Sequence, residues 1–341
     1  MNNRTDMANS FLTDAGWGSA KQGFLAGDAS NRKYWRLLHG DTDETAILMD
    51  APPQKGENVC AFVKISNYLI HAGLSAPKIF HQDLENGFLL IEDLGDQVFA
   101  KIIQKNPDLE QPLYCAAVDV LVNITKLNPP DSLLDYNPQV MADYISPVFE
   151  WYQSLATDHP ADGQAKTIEL LKYSLQTYCS GPRVLSLRDY HAENLLWLHD
   201  RTDEQSVGLL DFQDAVITHP AYDLVSLLED ARRDVSPDIQ QHMIARYIAS
   251  TNANANSFLA AYHTCGAQRN LRILGIFTRL CVQAGKPEYI DLIPRVWGYL
   301  QNDLSHPALD KLKTHVFNML PEPTPEVLKR LKDKCATVPM Q

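Results

Sequence analysis

No two of the six cysteines, Cys60, Cys115, Cys179, Cys265, Cys281 and Cys335, stand at Cys-x-x-Cys spacing. A zinc ribbon and a disulfide framework are therefore not expected, and the thiols read as the reduced cysteines of a cytoplasmic protein. The sequence also lacks any apolar run near the roughly 18 residues of a membrane span. Met1 to Asp14 carries acids and amides where a secretion signal would be basic and then apolar. Basic residues are outnumbered, 30 Lys and Arg against 42 Asp and Glu, for a formal charge of −12. Such a surface repels phosphate backbones and anionic lipid, which excludes duplex nucleic acid and membrane surfaces as partners. An anionic substrate would need a local basic pocket or a metal.

What is present is enough to fold. The chain has 341 residues, 45% hydrophobic and 21% charged, longer than one typical domain of roughly 100–200 residues and close to globular averages. Two lobes are expected. From Gly23 to Asp96 the pattern is that of strands: Gly23–Gly27, Arg32–Leu38 and Thr45–Met49, separated by turn formers. Glu57 to Ala72 reads as a helix closed at Gly73, and Lys78–His81 and Phe88–Glu92 flank the turn Glu85-Asn86-Gly87.

After Leu94-Gly95-Asp96 apolar residues recur every three or four positions. Amphipathic helices are predicted over Leu109–Leu127, Val140–Leu155, Ala165–Tyr178, Ala221–Arg232, Ile239–Ala249 and Leu271–Ala284. The implied class is α+β: a small antiparallel-sheet lobe with one main helix, residues 1–95, and a larger helical lobe, residues 96–341, joined at Glu92–Asp96. There are no internal repeats.

The densest polar cluster lies between two apolar islands. Asp189 and Asn194 are five residues apart after the run Val184–Leu187, and Asp211 ends the run Val207–Leu210. A hairpin-like loop would bring all three to one end of the strands. Phosphoryl transfer needs this inventory, because its loose transition state is served by positioning and charge neutralisation. One carboxylate orients the attacking hydroxyl and takes its proton, while an amide and a second carboxylate hold Mg2+ on the phosphates. Each residue alone would pass for a turn or cap residue. The ordered set favours the chemistry.

Leu187-Arg188-Asp189-Tyr190-His191-Ala192-Glu193-Asn194 resembles the catalytic loop of the aminoglycoside phosphotransferase/choline kinase family, relatives of the protein kinases. Asp211-Phe212-Gln213 resembles its metal-binding acid, and His219-Pro220-Ala221-Tyr222-Asp223-Leu224 the helix start that follows. The resemblance implies a two-lobed kinase-like fold using Mg2+ and ATP. It implies Asp189 as base, Asn194 and Asp211 as metal ligands and Asp223 as a brace on the catalytic loop. It also implies that the turn around Ser30, Asn31 and Arg32 covers the phosphates, and that the backbone at Glu92 and Leu94 reads the adenine edge. Gly27 to Arg36, Leu48 to Pro53 and Asp211 to Ala215 are more narrowly similar to bacterial N-acetylmuramate/N-acetylglucosamine anomeric kinases. That narrower likeness implies an amino-sugar hydroxyl as acceptor. An aminoglycoside or amino-alcohol acceptor, or a catalytically silent nucleotide-binding protein, are the alternatives.

Three features depart from the family pattern. Leu187 stands where a histidine is expected two residues before the base. The third strand, Ala46 to Asp50, has no lysine, and the following helix has no acid at its middle. Arg32, Lys33 or Arg36 must then supply the charge that grips the nucleotide phosphates, with Arg32 and Arg36 on one face of the second strand and Lys33 on the other. Two more groups could meet an acceptor. His191 and Glu193 lie inside the catalytic loop, and the arginines of Glu229-Asp-Ala-Arg-Arg-Asp234 could pair with a muramyl carboxylate.

Overall fold

The computed structural model describes residues 4–27, 31–157 and 163–339. In chain order it contains α1 (Arg4–Asp14), β1 (Lys21–Gly27), β2 (Lys33–Leu38), β3 (Thr45–Asp50), α2 (Cys60–His71), β4 (Ile79–Asp83), β5 (Phe88–Glu92), α3 (Phe99–Lys105) and α4 (Glu110–Ile124). Then come α5 (Pro138–Asp143), a π-helical segment (Val148–Gln153), α6 (Ser154–Ala156) and α7 (Gln164–Tyr178). Four short strands follow, β6 (Val184–Ser186), β7 (Leu195–Trp197), β8 (Val207–Leu209) and β9 (Val216–Thr218). Last are α8 (Ala221–Leu228), α9 (Pro237–Thr251), α10 (Ala255–Ala284), α11 (Ile293–Leu304), α12 (Asp310–Met319) and α13 (Pro325–Lys332). Among the described residues no helix is long and apolar enough to cross a membrane.

The chain packs as two compact units, one of Met1–Val120 with Ala192–Ala215, the other of Leu121–His191 with Val216–Gln341. The segment patterned for strands and the packed unit thus have different limits. The stretch from Ala192 to Ala215 folds with the N-terminal sheet although it lies far along the sequence.

The first unit is built on a five-stranded antiparallel sheet, order β1-β2-β3-β5-β4. Alternation gives the sheet two distinct faces. Leu37, Ala46, Leu48, Phe88 and Leu90 form one buried face with Phe11 and Leu12 of α1. Asp50, at the end of β3, accepts from Arg4 Nε at 2.8 Å, which ties α1 to that face. Arg36, Ile47 and Ile91 are cross-strand partners on the opposite face. Helix α2 ends at Gly73, whose φ of +80° is the left-handed closure that glycine adopts at least cost.

The second unit is helical and centres on α10, 30 residues long, packed against α7, α8, α11 and the π-helical segment. Gly275 of α10 lies so close to the backbone of Pro147 that a Cβ there would come within 2.1 Å of the Pro147 carbonyl carbon. The single helix predicted over Val140–Leu155 is interrupted at this point. Pro147 has no N–H to continue the ladder, and the backbone reforms as a π-helix beside α10. The helix predicted to Arg232 stops at Leu228. The Asp230 carboxylate takes the backbone N–H of Arg232 at 2.9 Å, a local turn that competes with helix. Cys179, His219 and Cys265 are buried together, with one potential ligand atom of each within 4.8 Å of the others. His219 Nδ1 accepts the Ala221 N–H at 3.2 Å and so caps the entry to α8.

Candidate active site

In the first unit, β7 and β8 pair antiparallel, Leu195 opposite Leu209. One step beyond that pair, the Leu210 N–H donates to the Asn194 carbonyl oxygen at 3.0 Å. Asn194 and Asp211 therefore sit at the same end of one hairpin, and both line a cavity of about 550 Å³. Asp211 adopts a φ of +56°, a left-handed conformation that Asp tolerates better than most residues. Phe212 is fully buried and stacks on Phe62 of α2 with ring centroids 4.9 Å apart, which anchors the turn. Asp189 is not part of this hairpin. It follows β6, whose partner is β9, and belongs to the second unit.

The rest of the cavity wall is apolar where the sheet meets the hairpin: Ile47, Ile91, Leu196 and Leu210. Glu92 and Leu94 also line it. The Glu92 N–H donates to the Lys78 carbonyl at 2.8 Å, within the sheet. The Glu92 side chain accepts from Arg201 Nη2 at 2.5 Å, and Arg201 Nη1 donates to Ser75 Oγ at 2.8 Å.

The three basic candidates of the second strand separate clearly. Lys33 is exposed. Arg36 faces the cavity but is clamped by two carboxylates, Nε to Asp93 at 2.7 Å and Nη1 to Asp96 at 2.6 Å. The Asp96 hydrogen bond leads in raising the Arg36 pKa, and Arg36 in turn lowers that of Asp96. This clamp locks the segment after β5 to the sheet. Arg32 instead reaches Asp211, with Nη2 at 3.6 Å from Oδ1, and Glu57, with Nε at 3.7 Å from Oε2. Glu57 also accepts the Asn31 N–H at 2.9 Å. Glu57 was absent from the sequence-based site; an acid just ahead of α2, rather than at its middle, was the available signal. Ser30 lies outside the described residues.

In the second unit Asp189 is half-buried on the loop after β6. The loop is held from below by Asp223, in the first turn of α8, which accepts from Ser186 Oγ at 2.6 Å and from the N–H groups of Leu187 at 2.7 Å and Arg188 at 3.0 Å. Ser226 Oγ donates to the Arg188 carbonyl at 2.9 Å. Burial pushes the Asp223 carboxyl up to about 6, against the opposing pull of those three donors. Leu187 is buried, so packing takes the place of the histidine's hydrogen bond. His191 is buried too, and Arg232 Nη1 lies 3.3 Å from its Nε2.

A phosphotransferase enzyme family model matches residues 22–262 of the chain. The chain belongs to the phosphotransferase enzyme family. The N-acetylmuramate/N-acetylglucosamine kinase of Caulobacter vibrioides is 36% identical, over 92% of this chain and 96% of that protein. The protein of the same name from Pseudomonas aeruginosa is 33% identical, over 87% and 89%. Among solved structures, a microcompartment-associated aminopropanol kinase matches with a TM-score of 0.62 at 15% identity, over 91% of this chain and 98% of that one. That likeness shows the fold, the kinase-like α+β arrangement.

This phosphotransferase is an ATP-dependent enzyme. The Asn194 and Asp211 side chains offer oxygen donors at one hairpin end, the hard ligand chemistry a small divalent cation prefers. The residues present fit a magnesium ion.

Proposed function

We propose that this phosphotransferase moves the γ-phosphoryl group of ATP to the anomeric hydroxyl of an amino sugar, N-acetylmuramate or N-acetylglucosamine. The identity to kinases named for these two sugars, sustained over 92% of the chain, carries the reading. In the first unit the apolar wall of Ile47, Ile91, Leu196 and Leu210 suits an adenine ring. Asn194 and Asp211 hold the metal ion. When bound, Mg2+ neutralises charge on the phosphate oxygens. Arg32 supplies the cation that the third strand lacks, with Asn31 covering the phosphates. In the second unit Asp189 aims the acceptor oxygen and receives its proton, and Asp223 keeps that loop in place.

The test is an acceptor panel with ADP release as the readout: both amino sugars, an aminoglycoside and an amino alcohol. Turnover with the amino sugars at least about 100-fold above the other acceptors, a gap of about 2.7 kcal/mol, is the expected result. Preference for the aminoglycoside or the amino alcohol contradicts the reading.

A further inference from the structure

Of the described residues lining the cavity of the first unit, three carry an aromatic ring or a guanidinium: Tyr34, Arg36 and Phe62. Phe62 is stacked on Phe212. Tyr34 and Arg36 share one face of β2, with Tyr34 two residues nearer the turn that carries Asn31 and Arg32. That turn belongs to the metal end of the cavity, because Arg32 Nη2 stands 3.6 Å from Asp211 Oδ1. Arg36 is four residues further on, about 13 Å of extended chain, beside the segment that follows β5. It marks the end where the base of a nucleotide lies when its phosphates meet Asp211.

The contacts of Arg36 fix how its guanidinium is turned. Nη1 and Nη2 donate to the two oxygens of Asp96 at 2.6 Å and 2.9 Å, a bidentate pair that sets the plane. Nη2 also donates to Asp93 Oδ1 at 3.0 Å, and Nε lies 2.7 Å from Oδ2 of the same carboxylate. Asp93 is itself held, its Oδ1 accepting the Gly95 N–H at 3.0 Å. The edge of the guanidinium is thus spent on carboxylates, so Arg36 cannot double as a phosphate grip. What it offers the cavity is the face of the plane. Ile47, its cross-strand partner, and Ile91, opposite Ile47, extend that face as an apolar surface. A purine laid over a guanidinium gains dispersion and cation–π attraction, and needs no hydrogen bond to do so.

We propose that Arg36 is the stacking platform of the nucleotide site, its guanidinium plane fixed by Asp93 and Asp96 and its face against the base. The inference rests on the reading above that this cavity takes the adenine ring. It gives the clamp a second consequence: the two carboxylates that lock the segment after β5 also set the tilt of the surface on which the base rests.

The experiment is titration calorimetry of wild type, Arg36→Ala, Arg36→Lys, Arg36→Tyr and Ile47→Trp with Mg-ATP and with Mg-tripolyphosphate, which has no base. In Arg36→Ala the Kd for ATP should rise about 5-fold to 100-fold, the scale of one stacked base. Its Kd for tripolyphosphate should stay within about 2-fold of wild type, which also reports that the variant is folded. Arg36→Tyr supplies a plane without the clamp and should recover most of the ATP affinity. Arg36→Lys keeps the charge without the plane and should bind ATP no better than Arg36→Ala. Recovery by Lys in place of Tyr makes Arg36 a clamp alone and overturns the inference, as does recovery by neither, or a parallel loss of both ligands in Arg36→Ala. Ile47→Trp fills the cavity beside Arg36 and should weaken ATP binding as well. If it does while Arg36→Ala binds ATP as wild type does, the inference alone falls; if neither variant weakens ATP, the cavity does not take the base and the reading beneath it falls too.

Discussion

Arg32 Nη2 stands 3.6 Å from Oδ1 of Asp211, the carboxylate at the end of the β8 hairpin, while its Nε stands 3.7 Å from Glu57. One guanidinium therefore links the turn after β1, the entry to α2 and the proposed metal acid. An arginine so placed can move from the two carboxylates to the phosphates of an incoming nucleotide. Arg32→Ala is expected to raise the KM for ATP by about 10-fold or more, the loss of a charge-assisted contact, with Arg32→Lys recovering part of it. Unchanged KM for ATP in Arg32→Ala would remove Arg32 from the nucleotide site.

Asp223 gives a pH signature. The folded chain holds its carboxyl proton up to about pH 6, above the ordinary value of 3.8, because burial disfavours the charge. Between those values the folded state binds more protons than the unfolded state, so this group's contribution to stability is full below pH 3.8 and is lost as pH rises through 6. The loss amounts to about 3 kcal/mol at most. Urea denaturation of wild type and Asp223→Asn from pH 4 to pH 7 measures it: the difference between the two proteins should change with pH in that direction and flatten above pH 7. Parallel curves would mean that the Asp223 carboxyl titrates alike in both states.

Phe212 tests how the hairpin end is anchored. It is fully buried against Phe62, so Phe212→Ala should cost about 3–5 kcal/mol and Phe212→Leu less than about 1.5 kcal/mol. Because Asp211 is the preceding residue, Phe212→Leu should lose more in kcat than in stability. Chemical denaturation together with steady-state rates separates the two effects.

The strands, the main helix and the hairpin carrying Asn194 and Asp211 were legible in the sequence, since each is written in short-range pattern and punctuated by turn residues. Helix α1 was not. Only Phe11 and Leu12 of its residues are buried, and what holds it is tertiary: the sheet face beneath and the Asp50 contact to Arg4. Glu57 escaped notice because its partners, Arg32 and the Asn31 N–H, are about 25 residues away along the chain. The fate of Arg36 was equally hidden. Alternation set it only on the face opposite Lys33, while its place at the cavity and its capture by Asp93 and Asp96 depend on how the segment after β5 folds back. The brace at Asp223 was legible only through the family resemblance, because its three donors come from residues 186–188.

The central claim, transfer of a phosphoryl group from ATP to the anomeric oxygen of an amino sugar with Asp189 as base, is tested most directly by phosphorus NMR of the product. Wild-type protein with Mg-ATP and N-acetylglucosamine should yield a phosphomonoester whose phosphorus couples to the anomeric proton. Asp189→Asn should yield none while still binding ATP. A phosphorus signal coupled to a proton at any other ring position, or full turnover by Asp189→Asn, would contradict the account.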